Sequence, residues 1–93
     1  MRVLTEESRP KLARGVRLQS DPVSGEPILL YPEGFLNLAC NEHDILARCD
    51  GEKTLGRIVE ELGEEYEVEA AELRGDVLDY MTQLRLEMLL TVA

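Results

Sequence analysis

The short connections between the apolar stretches of residues 14 to 39 most constrain how this chain can fold. Three runs rich in strand-forming residues, GVRLQSD, EPILLY and FLNLA, are separated by PVSG and by PEG. Proline and glycine supply the restricted and the permissive φ angles of tight turns. Parallel neighbours need crossovers of about a dozen residues or more, and these connections are far shorter. The sequence therefore predicts a three-stranded antiparallel meander.

The second half of the chain changes to helical periodicity. Asn41 is predicted as the N-cap of a short first helix, and Thr54 as the N-cap of a second helix that ends near Tyr66. A third and longest helix is predicted over residues 70–86, and MLLTVA closes the chain as a short extended piece. The predicted fold is α+β, a three-stranded antiparallel sheet followed by a three-helix bundle, similar in layout to a winged helix-turn-helix.

The length of 93 residues allows one modest core and no deep active site, which favours a binding module over an enzyme. Residues 1–12 are polar and irregular, with Pro10 as a boundary, and are predicted to form a flexible N-terminal arm. Residues 13–93 then form a single domain. No run of 18 apolar residues and no apolar signal core is present, so a cytoplasmic protein without a membrane span is expected.

The charge distribution disfavours nucleic acid as a partner. The formal charge is −9, and the first twenty residues carry five basic and two acidic side chains, so the remainder carries about −12. A nucleic-acid binder neutralises phosphates with Lys and Arg. From Glu60 to Glu72 there are seven acidic residues and no basic one, in the part that would hold a recognition helix. A winged-helix DNA-binding regulator is therefore the alternative that the sequence favours less.

Catalytic and metal-binding patterns are weak. Cys40, His43 and Asp44 are the candidates for a nucleophile and base that stand near one another, but His43 is more simply a solvent-facing residue of the first helix. Cys40 and Cys49 match neither a zinc nor a redox spacing, and both are expected to be buried free thiols. We therefore predict no enzyme activity, no catalytic residue, no metal and no cofactor.

The third predicted strand offers an unprotected sheet edge. Its FLNL run, residues 35–38, carries neither charge nor proline, the features that usually protect such edges. An extended peptide could add a strand there through main-chain hydrogen bonds. Leu36→Pro is expected to abolish that binding by removing a donor. Such an edge can also pair with a second copy of the chain, so a homodimer is compatible with the sequence.

Several stretches carry a family likeness. RPKLARGVRLQ, LLYPEG and CDGEKTLGRIVEEL, together with VLDYMTQLRLEMLL, resemble the PqqD family of pyrroloquinoline quinone biosynthesis over residues 9 to 90. The chain departs from the family pattern at Ala39, where Asn is frequent, and at Glu87, where Gly is common. The resemblance implies a non-catalytic RiPP recognition element with a winged-helix-like fold. Such a module binds the ribosomal precursor peptide and presents it to a radical SAM enzyme, which links a Glu and a Tyr of that peptide.

The resemblance also implies where the peptide lies, on the third strand and against the third helix. The peptide-binding residues that this predicts are Phe35, Leu36, Asn37, Leu38, Arg74, Val77, Leu78, Met81 and Arg85. The iron–sulfur cluster and S-adenosylmethionine are expected in the partner enzyme, since this chain lacks a Cys triad to hold a cluster.

Overall fold

Five strands and three helices form the structure, a computed structural model that describes residues 3–93. The strands are β1 (Pro10–Leu12), β2 (Arg17–Ser20), β3 (Pro27–Tyr31), β4 (Gly34–Asn37) and β5 (Leu90–Val92), and the helices are α1 (Cys40–Ala47), α2 (Leu55–Tyr66) and α3 (Ala70–Leu86). Strands precede helices except for the last short strand. The predicted α+β class is confirmed, and β1 is a strand that the sequence did not predict.

The meander is present as predicted, with strand order β2-β3-β4 and antiparallel pairing throughout. Leu29 in the central strand pairs with Leu18 on one side and with Leu36 on the other. Leu29 is fully buried, so this face of the sheet packs on the helices. β4 lies at one edge of the sheet, which leaves one of its sides without a neighbouring strand.

A second, two-stranded sheet joins the two ends of the described chain. β1 pairs with β5, bringing Pro10 opposite Val92, and both Leu4 and Pro10 are buried. The backbone of Ser8 also accepts a hydrogen bond from the Leu55 N–H at 2.8 Å. Residues 3–12 are therefore packed against the body, which corrects the flexible arm expected over residues 1–12 and the domain boundary at residue 13. Residues 1 and 2 lie outside the described part.

The helix starts agree with the sequence for α2 and differ for α1. The Thr54 hydroxyl accepts the Arg57 N–H at 3.2 Å, so the predicted N-cap of α2 is confirmed. The N-cap of α1 is Ala39, and Asn41 lies inside the helix, so that prediction was wrong. The Glu42 carboxylate takes over part of the capping by accepting the Ala39 N–H at 2.8 Å.

The core lies between the inner face of the meander and the three helices. Each helix contributes a fully buried side chain to this core: Leu46 from α1, Ile58 from α2 and Met81 from α3. Cys49 is buried with them, and burial raises the pKa of its thiol to about 12. Cys40 is exposed, so the expectation of a buried thiol was wrong there. Within residues 3–93, no helix has the length and apolar character needed to cross a membrane.

Candidate functional site

The open side of β4 presents backbone groups that no other strand of the sheet reaches. Leu38 donates its N–H to the Pro27 carbonyl at 3.0 Å, and Leu36 pairs with Leu29. Hydrogen-bonded and non-hydrogen-bonded pairs alternate along antiparallel strands, so the backbone of Leu36 points towards β3. The N–H and C=O groups of Phe35 and Asn37 point outward. Leu36→Pro would therefore remove a bond inside the sheet, and the expectation that it removes a donor for a peptide was wrong.

The side chains of β4 alternate between two faces. Phe35 is 53% exposed and lies with Asn37 on the outer face, while Leu36 is half-buried and Leu38 is buried on the inner face. A strand added to this edge would place every second side chain on the inner face beside Leu36. The remaining side chains would lie beside Phe35 and Asn37.

The stretch of β4 that can pair with an added strand is limited at both ends. The next outward-pointing donor after Asn37 is the Ala39 N–H, and the Glu42 carboxylate already accepts it. At the other end the strand follows a tight turn that contains Pro32, which has no N–H. The backbone therefore offers two donors and two acceptors to an added strand.

A groove of about 560 Å³ lies between the β3–β4 hairpin and the residues that directly follow α3. We define this β4–α3 groove by six of its lining residues, which are Tyr31, Glu33, Leu36, Glu87, Met88 and Leu89. Its floor is apolar and its rim carries two carboxylates. Arg14 lines the same groove and supplies the opposite charge. The groove can accept side chains of a segment that runs along β4.

The two flanks of α3 face different neighbours. Leu73 and Tyr80 line a groove with α1, and Glu87 lines the β4–α3 groove, so this flank borders the open edge. Burial raises the pKa of Tyr80 to about 12, with nearby Glu42 as the next cause. The proximity of Glu42 agrees with Tyr80 lying between α1 and α3.

The opposite flank of α3 faces the N-terminal segment. Arg74 forms an ion pair with Glu6, and Arg85 lines a depression together with Arg9. Leu78, four residues after Arg74, belongs to this flank by helical spacing. These three helix residues of the predicted site are therefore not brought to β4.

Two further predicted residues form the core beneath the site. Val77 is buried and Met81 has no exposed surface. The sulfur atoms of Met81 and Cys49 lie 3.9 Å apart. Sequence reasoning missed Tyr80 and Glu87 as residues that border the edge. Their spacing from the core residue Leu84 was the signal that could have placed them on the flank towards β4.

The candidate catalytic residues do not form a working set. Cys40 is exposed, and among the residues that the structure describes it makes no hydrogen bond to His43. The Nδ1 atom of His43 lies 3.8 Å from Asp44, whose carboxylate accepts the Tyr66 hydroxyl hydrogen bond. No group of His, Cys, Asp and Glu within residues 3–93 could hold a metal ion.

The turn between α2 and α3 presents carboxylates to solvent. The residues that line this surface include five glutamates, which are Glu60, Glu64, Glu67, Glu69 and Glu72, all exposed. A helix-turn-helix would bring this region to DNA, where phosphates would repel it. The geometry adds to the charge argument against a DNA-binding regulator.

Comparisons with known proteins identify relatives of this chain. The family model described as "Coenzyme PQQ synthesis protein D (PqqD)" matches residues 26–90. A "PqqA binding protein" of Xanthomonas axonopodis pv. citri (strain 306) is 36% identical over 87 residues, which cover 94% of this chain and 95% of that protein. Another of the same name, from Rhizobium meliloti (strain 1021), is 34% identical over 90 residues, which cover 97% of this chain and 92% of that protein.

Two solved structures are similar. The solution NMR structure of the PqqD truncation of Methylobacterium extorquens PqqCD is described as a functional and stand-alone RiPP recognition element. It aligns with a TM-score of 0.81 at 32% identity, covering 95% of this chain and 94% of that one. The crystal structure of PqqD from Xanthomonas campestris aligns with a TM-score of 0.57 at 32% identity, covering 91% of this chain and 94% of that one.

Proposed function

This chain belongs to the PqqD family of coenzyme PQQ synthesis proteins, and on that premise we propose that it binds the precursor peptide PqqA as an added strand on β4. Relatives that match nearly the whole chain are named for binding PqqA. The observation that carries the proposal is the outward direction of the backbone groups of Phe35 and Asn37. The family likeness predicted from the sequence is confirmed.

The proposed complex is an antiparallel four-stranded sheet. PqqA residues opposite Phe35 and Asn37 exchange up to four backbone hydrogen bonds with β4, each contributing about 0.5–1.5 kcal/mol net. The PqqA residue opposite Leu36 places its side chain on the inner face, at the β4–α3 groove. Backbone bonds supply affinity for any extended segment, and the groove supplies selectivity for this one.

Binding of this kind serves a partner enzyme. An extended PqqA strand held in one register has less conformational freedom to lose when the enzyme engages it, and the complex raises its local concentration. We propose that the partner is the radical SAM enzyme that links a Glu and a Tyr of PqqA. In this proposal the chain performs no chemistry itself, and the cluster and S-adenosylmethionine are held by the enzyme.

Amide hydrogen exchange of the protein with and without a synthetic PqqA peptide tests the strand addition. The Phe35 and Asn37 amides point to solvent in the monomer, so exchange is compared at a protein concentration where the free protein is monomeric. They should exchange slowly at saturating peptide, because a bond to the peptide protects them. The Leu36 amide already faces β3 and serves as the internal control. If PqqA saturates the protein while the Phe35 and Asn37 amides still exchange at the free rate, the peptide binds elsewhere.

The same edge can accept a second copy of the chain, and we include this homodimer in the proposal. A two-fold axis at Leu36 would pair Phe35 of one copy with Asn37 of the other and would use the groups that PqqA needs. Sedimentation velocity should then show peptide converting dimer to monomer. A dimer that persists with bound peptide would exclude pairing through β4.

A further inference from the structure

A second groove, of about 420 Å³, begins where the open edge of β4 ends. We call it the α1–α3 groove and define it by the apolar floor residues Ile45, Leu62, Leu73 and Val77 and by the rim residues Glu42 and Asp76. Tyr66 and Tyr80 complete its wall. It is more apolar than the β4–α3 groove and is formed by all three helices.

The groove is continuous with the edge through one capping interaction. Glu42 accepts the Ala39 N–H, so the backbone of this chain offers an added strand no donor beyond Asn37. The same carboxylate stands on the rim of the α1–α3 groove. The part of a bound peptide that extends past Asn37, towards α1, therefore leaves the sheet and meets this groove next.

Strand direction decides which part of the peptide arrives there. β4 runs from Gly34 to Asn37 towards α1, so an antiparallel strand passes Asn37 first. The residues that precede the paired segment in the peptide then lie over the α1–α3 groove. The residues that follow it lie near the β4–α3 groove at the Gly34 end.

The rim charge indicates the chemistry of the occupant. In the described part of the chain Asp76 makes no ion pair, and no Lys or Arg lines this groove. The carboxylates of Glu42 and Asp76 stand beside an apolar floor, where a cation is attracted more strongly than in bulk water. A segment that fits both features carries a large apolar side chain and a neighbouring basic one.

We propose that the α1–α3 groove binds the precursor-peptide segment just N-terminal to the strand added on β4, with an apolar side chain on the floor and a Lys or Arg at the rim. The inference rests on the proposed function, since it takes the β4 strand as its starting point. It adds a second anchoring site that the sheet edge alone does not provide.

Methyl NMR separates the two sites, because the three isoleucines report on three places. Ile45 lines the groove, Ile28 pairs with Asn37 in the sheet, and Ile58 is fully buried and serves as the control. On titration with synthetic PqqA, the Ile45 and Ile28 δ1 methyl signals should both shift while that of Ile58 stays. At saturation, a shift at Ile28 without one at Ile45 would overturn the groove proposal and leave strand addition intact.

A charge reversal tests the rim with a matched control. Asp76→Lys should weaken PqqA binding roughly three- to tenfold, the range for reversing one partly exposed charge. Asp79→Lys makes the same change on the same helix at an exposed position outside the groove lining, and should leave affinity unchanged. With a peptide truncated from its N-terminus up to the paired segment, both variants should bind as well as the unmodified protein.

The outcomes distinguish the two proposals. Equal affinity of both Lys variants for full-length PqqA would overturn the groove proposal alone. An Asp76→Lys effect that survives N-terminal truncation would also overturn it, because the contact would then lie elsewhere on the peptide. If full-length PqqA fails to bind the unmodified protein, strand addition fails and the groove proposal fails with it.

Discussion

Asn37 stands opposite Ile28 in a pair that exchanges no backbone hydrogen bonds, so its N–H points to the open side of β4. Proline at this position removes that N–H without removing a bond within the sheet, and edge strands tolerate proline in this orientation. We expect Asn37→Pro to keep the fold and to lose about two- to tenfold in PqqA affinity, because one ladder bond of about 0.5–1.5 kcal/mol disappears. Calorimetric titration measures the loss.

Two neighbouring variants make that result specific. Asn37→Ala keeps the N–H and should bind PqqA within about twofold of the unmodified protein. Leu36→Pro removes a donor to β3 and should unfold or strongly destabilise the protein, seen as a lowered Tm. A folded Asn37→Pro variant with undiminished affinity would contradict strand addition on β4.

Met81 should affect peptide binding only through the fold. Its side chain has no exposed surface and packs beside Cys49. Met81→Leu conserves volume and should leave PqqA affinity unchanged, while Met81→Ala should cost about 2–5 kcal/mol of unfolding free energy. Denaturant unfolding and calorimetric titration of both variants check this. A weakened affinity in a stable Met81→Leu variant would show direct contact with the peptide.

The sequence was sufficient for the meander and its open edge because local signals determine both. The turns at PVSG and PEG exclude parallel connections, and the lack of charge in residues 35–38 is visible without any tertiary contact. The direction of each backbone group also required the register. Only the bond from Leu38 to Pro27 shows that Phe35 and Asn37, and not Leu36, offer the donors.

The flank of α3 that borders β4 could not be read from periodicity alone. Apolar residues spread over more than one stripe, so Leu78 and Tyr80 were equally plausible neighbours of the sheet. Tertiary packing decides the orientation of α3, because Val77, Met81 and Leu84 are buried in the core. This orientation places Arg74 beside Glu6 of the N-terminal segment. Three of the peptide-binding residues expected from the family resemblance, Arg74, Leu78 and Arg85, therefore lie on the flank of α3 that faces the N-terminal segment.

The pairing of β1 with β5 was hidden for a similar reason. Each strand has three residues, too few to show an alternating pattern, and Lys11 and Thr91 face each other across 80 positions of sequence. The polar run before Pro10 then looked like a free arm. Its buried Leu4 is a single apolar residue whose packing partners only the fold supplies.

Two helical glycines should respond oppositely to alanine. A Cβ at Gly63 would lie 2.8 Å from the Val68 carbonyl oxygen, whereas one at Gly75 would meet no atom within 4 Å. Gly63→Ala should destabilise the protein by about 1–3 kcal/mol through this overlap. Gly75→Ala should stabilise it by about 0.5–1 kcal/mol through helix propensity. Urea unfolding measures both, and equal signs would contradict the packing described at the α2–α3 turn.

The N-cap of α2 should contribute measurably to stability. Thr54→Ala removes the oxygen that accepts the Arg57 N–H and should lower the unfolding free energy by about 1 kcal/mol. Thr54→Ser keeps an accepting hydroxyl and should retain most of that energy. Chemical denaturation of the two variants tests the cap, and equal losses would assign the effect to the lost methyl group.

Glu61 should make part of the stability depend on acid pH. Its carboxylate forms ion pairs with Lys53 at 3.0 Å and with both Arg48 and Arg57 at 3.1 Å. The hydrogen bond from Lys53, followed by the other cations, lowers the pKa of Glu61 below its ordinary 4.5. A carboxyl whose pKa is depressed by folding stabilises the protein above its unfolded pKa, and this stabilisation is lost as pH falls through the folded value.

Glu61→Gln should therefore lower the unfolding free energy by about 1–2 kcal/mol at neutral pH, since three partly exposed ion pairs are lost. The difference from the unmodified protein should stay constant above about pH 5 and shrink as pH falls below 4.5, where the unmodified carboxyl also becomes neutral. Urea unfolding from about pH 3 to about pH 7 records both curves across the range in which the carboxyl titrates. A difference that does not change with pH would mean that the Glu61→Gln substitution disturbs packing and that the ion pairs contribute little.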